Sequence, residues 1–543
     1  MGEKVTVNQQ EINPGKVSYW LVGIFITAAL VLRILLIPDR EMDEDELQHL
    51  HAAREIFKGF LPYKDFFEHH MPLLQYLLGG IYFIFGETAK VIIGGRVFMF
   101  LLVVVGMVYF FKLLKTYTGQ IERWIGLLIL LYLPIFQEVT LEIRPDVPAL
   151  VCLIAGVYYL LSSLRFAKFL AGFLFGLGFC FTQKTIFFIF GAGIYLLIDS
   201  WHINRIIKIR YILLFISGIL LPLVGLIIVL WYQGIFGRFI DCVVLLNLKW
   251  KASFSPVNGL LWIVKDQIFL FLAVLGSLYF YFRDGILRKR MARAELLVLI
   301  MFSSGLTGAF IIPVPFNQYL LLLLPFYVFL SLRFLSYGLS RLCEEDNAFR
   351  NGFILILIVL FGLRMLKAFG IFPTAGTVYL PLNDLQKNVL MAFWLLVVLG
   401  CLVAYKVKAV PLVLIILMAV HPLNKLIGET NQGNRGQLEK INFILTHTSV
   451  NDCVMSGWPD YGFLRKQAYY YGFLHDEIRL VLSENERSNL VIKAINEKQP
   501  GIISFDKDMK RLHPSVCQLI RQQYHWAGIG DLYIPNSKKA LIK

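Results

Sequence analysis

Acidic and histidine side chains are concentrated in one segment, DEDELQHLHAAREIFKGFLPYKDFFEHHMPLLQYL, which runs from Asp43 to Leu77. A carboxylate here could deprotonate a hydroxyl group as a general base, and nearby cations could stabilise a phosphate leaving group. Asp43 and Glu44 could alternatively cap a helix that begins near Leu47, because acids are favourable at helix N-termini. Capping does not explain the aromatic and histidine-rich residues that follow, so the segment as a whole indicates a site.

Charged residues recur at two later positions, each between apolar stretches. LEIRPDVPAL contains Arg144 and Asp146, although Asp146 could simply cap a helix that Pro145 starts. Lys184, in FTQKTIFF, lies between two apolar runs with hardly any loop around it. The simpler alternative to a functional role is a lysine that snorkels to the membrane interface. Since ionisable residues near membrane depth are usually functional, we predict that these groups face the same site as the first segment.

The histidines of the first segment bear on metal binding. His49, His69 and His70, with nearby carboxylates, would suit zinc or manganese, but their spacing is not diagnostic of a metal site. Hydrogen bonding at the membrane interface is the more frequent role of such residues. The sequence therefore leaves a divalent metal open without predicting one.

The elements that must position these residues lie in a membrane. The 543-residue chain is 57% hydrophobic and 16% charged, with a mean hydropathy of +0.65, which predicts a polytopic membrane protein. The net charge of +15 does not indicate nucleic acid, because the basic residues form short clusters between apolar runs. No small-residue cleavage site follows the first apolar run, so we interpret that run as a retained helix.

Apolar runs predict about thirteen membrane spans. They lie near residues 17–37, 93–114, 121–137, 147–164, 167–182, 185–200, 211–233, 259–282, 294–312, 317–335, 352–370, 389–405 and 409–426. The segment from Pro72 to Gly86 is short for a span of about 20 residues, and we predict that it lies along the interface. The basic clusters then fall on one side, which the positive-inside rule makes cytoplasmic.

This topology divides the chain into two predicted domains. Residues 1–428 form a helical membrane domain with a cytoplasmic N-terminus, and its first outer loop, 38–91, lies outside the cytoplasm. Residues 429–543 also lie outside, and an amphipathic run with short strand-like runs such as CVMSG and GIISFD predicts a small α/β domain. Cys453 and Cys517 of this domain could be bridged in an oxidising compartment.

The aromatic stretches GWPDYGF and AYYYGF of the C-terminal domain could stack on sugar rings, although core positions are the usual role of such residues.

The motifs DEDELQHLHAAREIFKGFLPYKDFFEHHMPLLQYL, EIRPDVPALVCLIAGVYYL and TQK resemble those of C-type fold (GT-C) glycosyltransferases. The nearest resemblance is to bacterial relatives of dolichyl-phosphate-mannose protein mannosyltransferases and of the lipid A aminoarabinose transferase. It covers most of the membrane portion and is strongest over residues 43–164. It implies an all-α membrane domain with interfacial helices in the first outer loop.

The resemblance also implies an activity. Outside the cytoplasm there is no ATP, so a transferase there needs an activated donor that the membrane carries. The expected enzyme of the bacterial inner membrane moves a sugar, with inversion, from a polyprenyl-phosphate donor to an acceptor lipid, glycan or protein. A polysaccharide polymerase and a lipid-linked glycan flippase or transporter are the alternatives. The sequence shows no internal repeat, and its charges lie at one face, which counts against a transporter.

The resemblance assigns roles to residues of the first loop. Asp45 matches the catalytic carboxylate, with Glu46 beside it. His70 stands where the family has a lysine before a Pro-Pro pair, so its contact with the donor phosphate would depend on its charge.

Residues at later span boundaries also receive roles. Asp146 matches an acidic residue of the second outer loop, with Arg144 beside it for the donor phosphate. Lys184 matches a lysine of a turn in which Thr185 here replaces a glycine. Tyr319, in FNQYLLLLLPF, matches a tyrosine near the lipid phosphate.

Overall fold

Most of the membrane portion and nearly all of the C-terminal domain are covered by the structure. This computed structural model describes residues 15–199, 205–249, 268–283, 291–312, 316–343, 433–458 and 460–537. The predicted spans at 352–370, 389–405 and 409–426, and the beginning of 259–282, lie outside the described residues.

Helices occupy the predicted spans wherever the described residues cover them. In chain order they are α1 Gly15–Asp39, α2 Glu44–Phe57, α3 Leu73–Phe85, α4 Lys90–Leu114, α5 Gln120–Tyr132, α6 Pro134–Val139, α7 Asp146–Leu161, α8 Ala167–Phe181, α9 Ile186–Asp199, α10 Arg205–Tyr232, α11 Phe236–Phe239, α12 Leu246–Lys249, α13 Ile268–Phe282, α14 Arg293–Ile311 and α15 Leu324–Cys343. A π-helical turn, Ile240–Leu245, joins α11 to α12, and 3-10 turns at Gln183–Thr185 and Asn317–Leu323 precede α9 and α15. The predicted span 121–137 is divided, because Pro134 starts a new helix, α6.

Length and composition alone identify five described segments that could cross a membrane. They are Val22–Asp39, Lys90–Leu114, Ile206–Tyr232, Arg293–Ile311 and Gln318–Tyr337. Shorter apolar helices include α7 and α8. The membrane character is therefore confirmed, whereas the count of thirteen spans stays a prediction.

The first loop contains the two helices α2 and α3. Asp43 and Glu46 form a capping box at the start of α2, in which each side chain accepts a backbone N–H of the other end. The helix α3 has 13 residues, and its Phe83 and Ile84 are 81% and 76% exposed. A short helix with a bare apolar face suits the predicted interfacial position.

The helices α8 and α10 pack closely because glycines lie at their contact. A Cβ at Gly172 would lie 2.0 Å from the carbonyl oxygen of Phe215, and a Cβ at Gly218 would lie 2.2 Å from that of Phe169. Small residues allow membrane helices to approach this closely. The pairing fixes the end of α8, from which the turn with Lys184 leaves.

The C-terminal segment forms the predicted α/β domain. Its helices are α16 Arg435–His447, α17 Asp476–Arg479, α18 Glu484–Lys498, α19 Lys507–Lys510 and α20 Pro514–Gln523. Its strands are β1 Cys453–Ser456, β2 Lys466–Gln467, β3 Ile502–Ser504, β4 Tyr524–Trp526 and β5 Leu532–Pro535. The sheet has the order β2-β1-β3-β5-β4, with β1 parallel to β2 and β3 and with antiparallel pairs at the β5 side. Cys453 and Cys517 are free thiols, so the bridge that the sequence allowed is not formed.

The C-terminal domain is bound to the first loop. The backbone N–H of Phe67 donates to the carbonyl oxygen of Tyr470 at 2.9 Å, and the Tyr470 hydroxyl donates to the carbonyl oxygen of Tyr63 at 2.6 Å. Arg40 also pairs with Gly433 in an antiparallel bridge. The first loop and the C-terminal domain therefore lie against each other at one end of the described helices.

Candidate active site

A cavity of about 350 Å³ lies where the first loop, the starts of α7 and α9 and the C-terminal domain meet. Among the predicted site residues, those that line it are Asp45, His69, His70, Arg144, Asp146, Lys184 and Tyr319. The structure thus brings together groups that are far apart in the sequence.

Arg144 is the central cation of the cavity. Its guanidinium donates to the carboxylates of Asp43, at 2.8 Å, Asp45 and Glu142. Burial favours the neutral form, but the three carboxylates outweigh it and raise the pKa of Arg144, which stays charged. A guanidinium has five N–H donors, so Arg144 can hold Asp45 in place and still present an N–H to a phosphate.

Asp45 is placed where a general base could act. Its side chain is 31% exposed and faces the cavity from the first turn of α2. Burial favours its protonated form, yet the charges of Arg144 above all, and of His70, outweigh burial and lower the pKa of Asp45. Burial raises the pKa of the neighbouring Asp43 to about 7, although Arg144 opposes this. Asp45 is therefore the carboxylate that stays ionised at neutral pH.

Glu46 lies away from the cavity and is fully buried. Its carboxylate accepts from Arg96 Nε at 3.0 Å and Arg96 Nη2 at 2.7 Å, and from the backbone N–H groups of Ile143 and Asp43. Burial disfavours its charge, but Arg96 outweighs burial and lowers the pKa of Glu46. This geometry suits a residue that joins α2, α4 and the segment before α7, rather than one that touches substrate.

Lys184 and Asp146 form a second charged pair in the wall. The ammonium of Lys184 donates to Asp146 Oδ1 at 2.8 Å and lies 3.5 Å from the centre of the Tyr319 ring. Burial lowers the pKa of Lys184, and Asp146 partly restores it. The 3-10 turn after α8 places Lys184 in the lining of the cavity.

His70 is paired with Glu68. Its Nδ1 lies 2.6 Å from Glu68 Oε1, which also accepts the backbone N–H groups of His69 and His70. Burial favours protonated Glu68, but His70 outweighs it and lowers the pKa of Glu68 to about 2. Burial likewise favours neutral His70, but Glu68 outweighs it and raises the pKa of His70. The Glu68 carboxylate thus favours a cationic His70 in the cavity wall.

One group of described residues could hold a metal ion. The ligand atoms of His49, Glu68 and His70 lie within 4.8 Å of one another, so Glu68 and not His69 completes the predicted histidine set. Burial lowers the pKa of His49 to about 3, and a neutral imidazole is what a metal requires. His70 would have to lose its proton to Glu68 or solvent before it could bind.

Sequence reasoning missed several residues that line the cavity. They are Gln48, Met71, Pro145, Phe181, Thr182, Gln183, Asn247, Phe316, Gln318 and His475. Asp43 and Glu44, for which the sequence offered a capping role, and Trp458 also line it. Gln48 could have been predicted from the sequence, because it follows Asp45 by three residues on a helix and so shares its face. Trp458 is part of GWPDYGF, but only the docked domain shows that this motif reaches the site.

Comparison with known proteins agrees with this architecture. Residues 69–232 match the model of the dolichyl-phosphate-mannose-protein mannosyltransferase family. No curated protein sequence matches the chain.

Solved structures are similar over nearly the whole chain. ArnT from Cupriavidus metallidurans bound to undecaprenyl phosphate aligns with a TM-score of 0.69 at 12% identity, over 95% of this chain and 98% of ArnT. The apo form of ArnT aligns with a TM-score of 0.67 at 13% identity, over 96% and 98%. The apo oligosaccharyltransferase of Archaeoglobus fulgidus has a TM-score of 0.51 at 12% identity, over 89% of this chain and 69% of that one.

These similarities confirm the resemblance to GT-C glycosyltransferases that the sequence motifs indicated. At 12–13% identity they establish the fold. The roles of individual residues rest on the geometry of the cavity.

Proposed function

We propose that this protein is an inverting glycosyltransferase that moves a sugar from a polyprenyl-phosphate donor to an acceptor outside the cytoplasm. The single observation that carries the proposal is the arrangement of charges in the cavity. An ionised Asp45 lies beside Arg144, and the Lys184–Asp146 pair lines the same cavity. A base next to fixed cations is what glycosyl transfer from a phosphate requires.

In the proposed reaction the acceptor hydroxyl binds at Asp45 and its oxygen attacks the anomeric carbon opposite the phosphate. The new C–O bond forms as the bond between that carbon and the phosphate oxygen breaks, and the electron pair leaves with the phosphate. Because the pKa of Asp45 is lowered, it takes the proton late, when the attacking hydroxyl has become acidic. The products are the inverted glycoside and polyprenyl phosphate.

The cations of the cavity would hold the leaving phosphate. Lys184 has N–H donors beyond the one that Asp146 accepts, and His70 is held cationic by Glu68. Tyr319, stacked under Lys184, would lie beside the lipid phosphate and limit solvent access. Asp146 would position Lys184 rather than react.

The proposed location is the bacterial inner membrane, with the first loop and the C-terminal domain outside the cytoplasm. The support is the charge pattern of the sequence together with the observed contact between the loop and the domain. ArnT, whose fold is similar, binds undecaprenyl phosphate, which supports a donor of the same class here. The acceptor is a lipid, a glycan or a protein.

The test is transfer of radiolabel from a panel of undecaprenyl-phosphate sugars by purified protein in lipid nanodiscs, with an extract of cell-envelope acceptors. Wild type is compared with Asp45→Asn, Lys184→Ala and, as a matched control, Asp65→Asn. Asp65 is an exposed carboxylate of the same loop that does not line the cavity.

We expect wild type and Asp65→Asn to consume a donor and both cavity variants to fail. Full turnover by Asp45→Asn would refute the assignment of the base. Consumption of none of the donors by wild type, in the presence of every acceptor extract, would favour a flippase or polymerase instead.

A further inference from the structure

Two buried N–H donors of the cavity wall have no hydrogen-bond partner within the part of the chain that the structure describes. They are Gln48 Nε2 and Trp458 Nε1, on side chains of residues that are 3% and 7% exposed. Such a group costs about 1–3 kcal/mol when it stays unsatisfied. Both residues line the cavity, and a ligand bound there would supply acceptor atoms.

Gln48 is set beside the catalytic carboxylate by helix geometry. It follows Asp45 by three residues on α2, so both side chains lie on the same face of that helix. Both line the cavity. A group bound to Gln48 therefore lies next to the bond that Asp45 would help to form.

Trp458 is held in place by its domain. It follows the end of β1, and the N–H groups of Gly457 and Trp458 donate to Asp506 Oδ2 at 2.7 and 3.2 Å. A Cβ at Gly457 would lie only 2.4 Å from Asp506 Oδ1, so a larger residue would displace the Asp506 carboxylate that holds the turn. The Trp458 ring packs at 4.5 Å from that of His475 and 5.4 Å from that of Phe473.

The position of Trp458 in the sheet is also one where ligands bind. The strands β1, β2 and β3 are parallel, and open α/β sheets take ligands beyond the carboxyl ends of such strands. In this protein that edge of the sheet faces the cavity, since both Trp458 and His475 line it.

We propose that Gln48 and Trp458 form the subsite for the sugar ring of the donor. This inference rests on the proposed function. Their N–H groups donate to oxygens of the sugar. Neutral donors and an aromatic ring suit an uncharged polyol, whereas the charged Lys184 and Arg144 suit the phosphate. The donor sugar is bonded to that phosphate, so it occupies the cavity whenever the phosphate does.

The consequence is that the C-terminal domain takes part in choosing the sugar. Two variants separate this role from folding. Trp458→Phe keeps an aromatic ring but removes the N–H, and Gln48→Met keeps the side-chain length but removes the amide. Trp526→Phe and Gln522→Met are the matched controls, because both residues are exposed and belong to the same domain as Trp458 without lining the cavity.

The experiment measures dissociation constants of the full chain in nanodiscs for undecaprenyl phosphate and for undecaprenyl phosphate carrying glucose, mannose or arabinose. Wild type is expected to prefer at least one sugar-bearing lipid over the bare lipid. Trp458→Phe and Gln48→Met should each reduce that preference by about fivefold, the worth of one neutral hydrogen bond. Affinity for the bare lipid should not change, which shows that the variants fold.

Each other result overturns the inference in a recognisable way. An unchanged preference in both variants would exclude these residues from the donor subsite, and a rise in acceptor KM alone would assign them to the acceptor. Wild type that binds bare and sugar-bearing lipids equally would refute the subsite while leaving lipid-phosphate binding in place. Wild type that binds none of these lipids would refute the proposed function, and the subsite with it.

Discussion

Removing the charge of Asp45 should reduce turnover with little effect on stability, whereas removing the charge of Glu46 should reduce stability and leave turnover measurable. Glu46→Gln keeps the size of the side chain but removes the charge that faces Arg96. Arg96 is 2% exposed, and its remaining acceptors are the carbonyl oxygens of Ile37, Arg40 and Glu41 at 2.9–3.1 Å. Breaking a buried ion pair costs about 3–5 kcal/mol. Since Arg96 keeps these carbonyl acceptors, we expect Glu46→Gln to lower the free energy of unfolding by about 3 kcal/mol at pH 7.

Asp45→Asn should leave the free energy of unfolding nearly unchanged, because the carboxylate is partly exposed and Arg144 retains Asp43 and Glu142. A positioned general base contributes about 10²–10⁴-fold to a rate, so turnover should fall by that factor. Glu46→Gln should keep measurable turnover at a temperature where it remains folded.

The assay is reversible unfolding by SDS in mixed micelles, followed by donor turnover for the same preparations. The pKa of Glu46 is lowered in the folded protein, so its contribution is present above the unfolded pKa of about 4.3 and is lost as pH falls through the folded pKa. The difference in free energy of unfolding between wild type and Glu46→Gln should therefore disappear at acidic pH. Equal stability at pH 7, or an Asp45→Asn enzyme with full turnover, would refute this reasoning.

Three further outcomes follow from the charges. Lys184→Met should raise the Kd for undecaprenyl phosphate about 10- to 100-fold in a binding titration, since a charged hydrogen bond is lost; an unchanged Kd would exclude it from the phosphate site. Donor affinity should fall as pH rises through the raised pKa of His70, and Glu68→Gln should move that fall to lower pH; identical pH profiles would contradict this. Burial raises the pKa of Asp460 from 3.8 to about 8, so the folded domain keeps a proton that the unfolded chain releases, and stability should decrease as pH rises between these values. Hydrogen exchange of β1 should show this decrease in wild type and in the exposed control Glu497→Gln but not in Asp460→Asn.

The sequence predicted which segments meet but not which side chains face the cavity. Helices at the predicted spans and a small α/β segment follow from hydropathy and pattern, and the structure has these helices and strands where it describes the chain. Which of the helices cross a membrane stays a prediction. Asp45 and Glu46 look alike in the sequence, yet successive residues on a helix point about 100° apart. Only the register of α2 decides which one is buried.

The sequence does contain one signal for the register of α2. Asp43 and Glu46 have the spacing of a capping box, which predicts that Glu46 turns back to the helix N-terminus and is not free. The part played by Arg96 could not be predicted, because its contact with Glu46 spans 50 residues and depends on how α4 packs against the loop. Contacts of Trp458 with the cavity depend on domain docking in the same way.

The shape of the first loop depends on the domain that covers it. Tyr63 is fully buried with φ 67°, a left-handed conformation that costs a non-glycine residue about 1–2 kcal/mol. Its carbonyl oxygen accepts from Tyr470, and its hydroxyl donates to the carbonyl oxygen of His70 at 2.8 Å. Docking of the domain therefore offsets the strain at Tyr63, and Tyr63 in turn fixes the His70 backbone. The C-terminal domain thus contributes to both sides of the site, through Trp458 directly and through His70 by way of the loop.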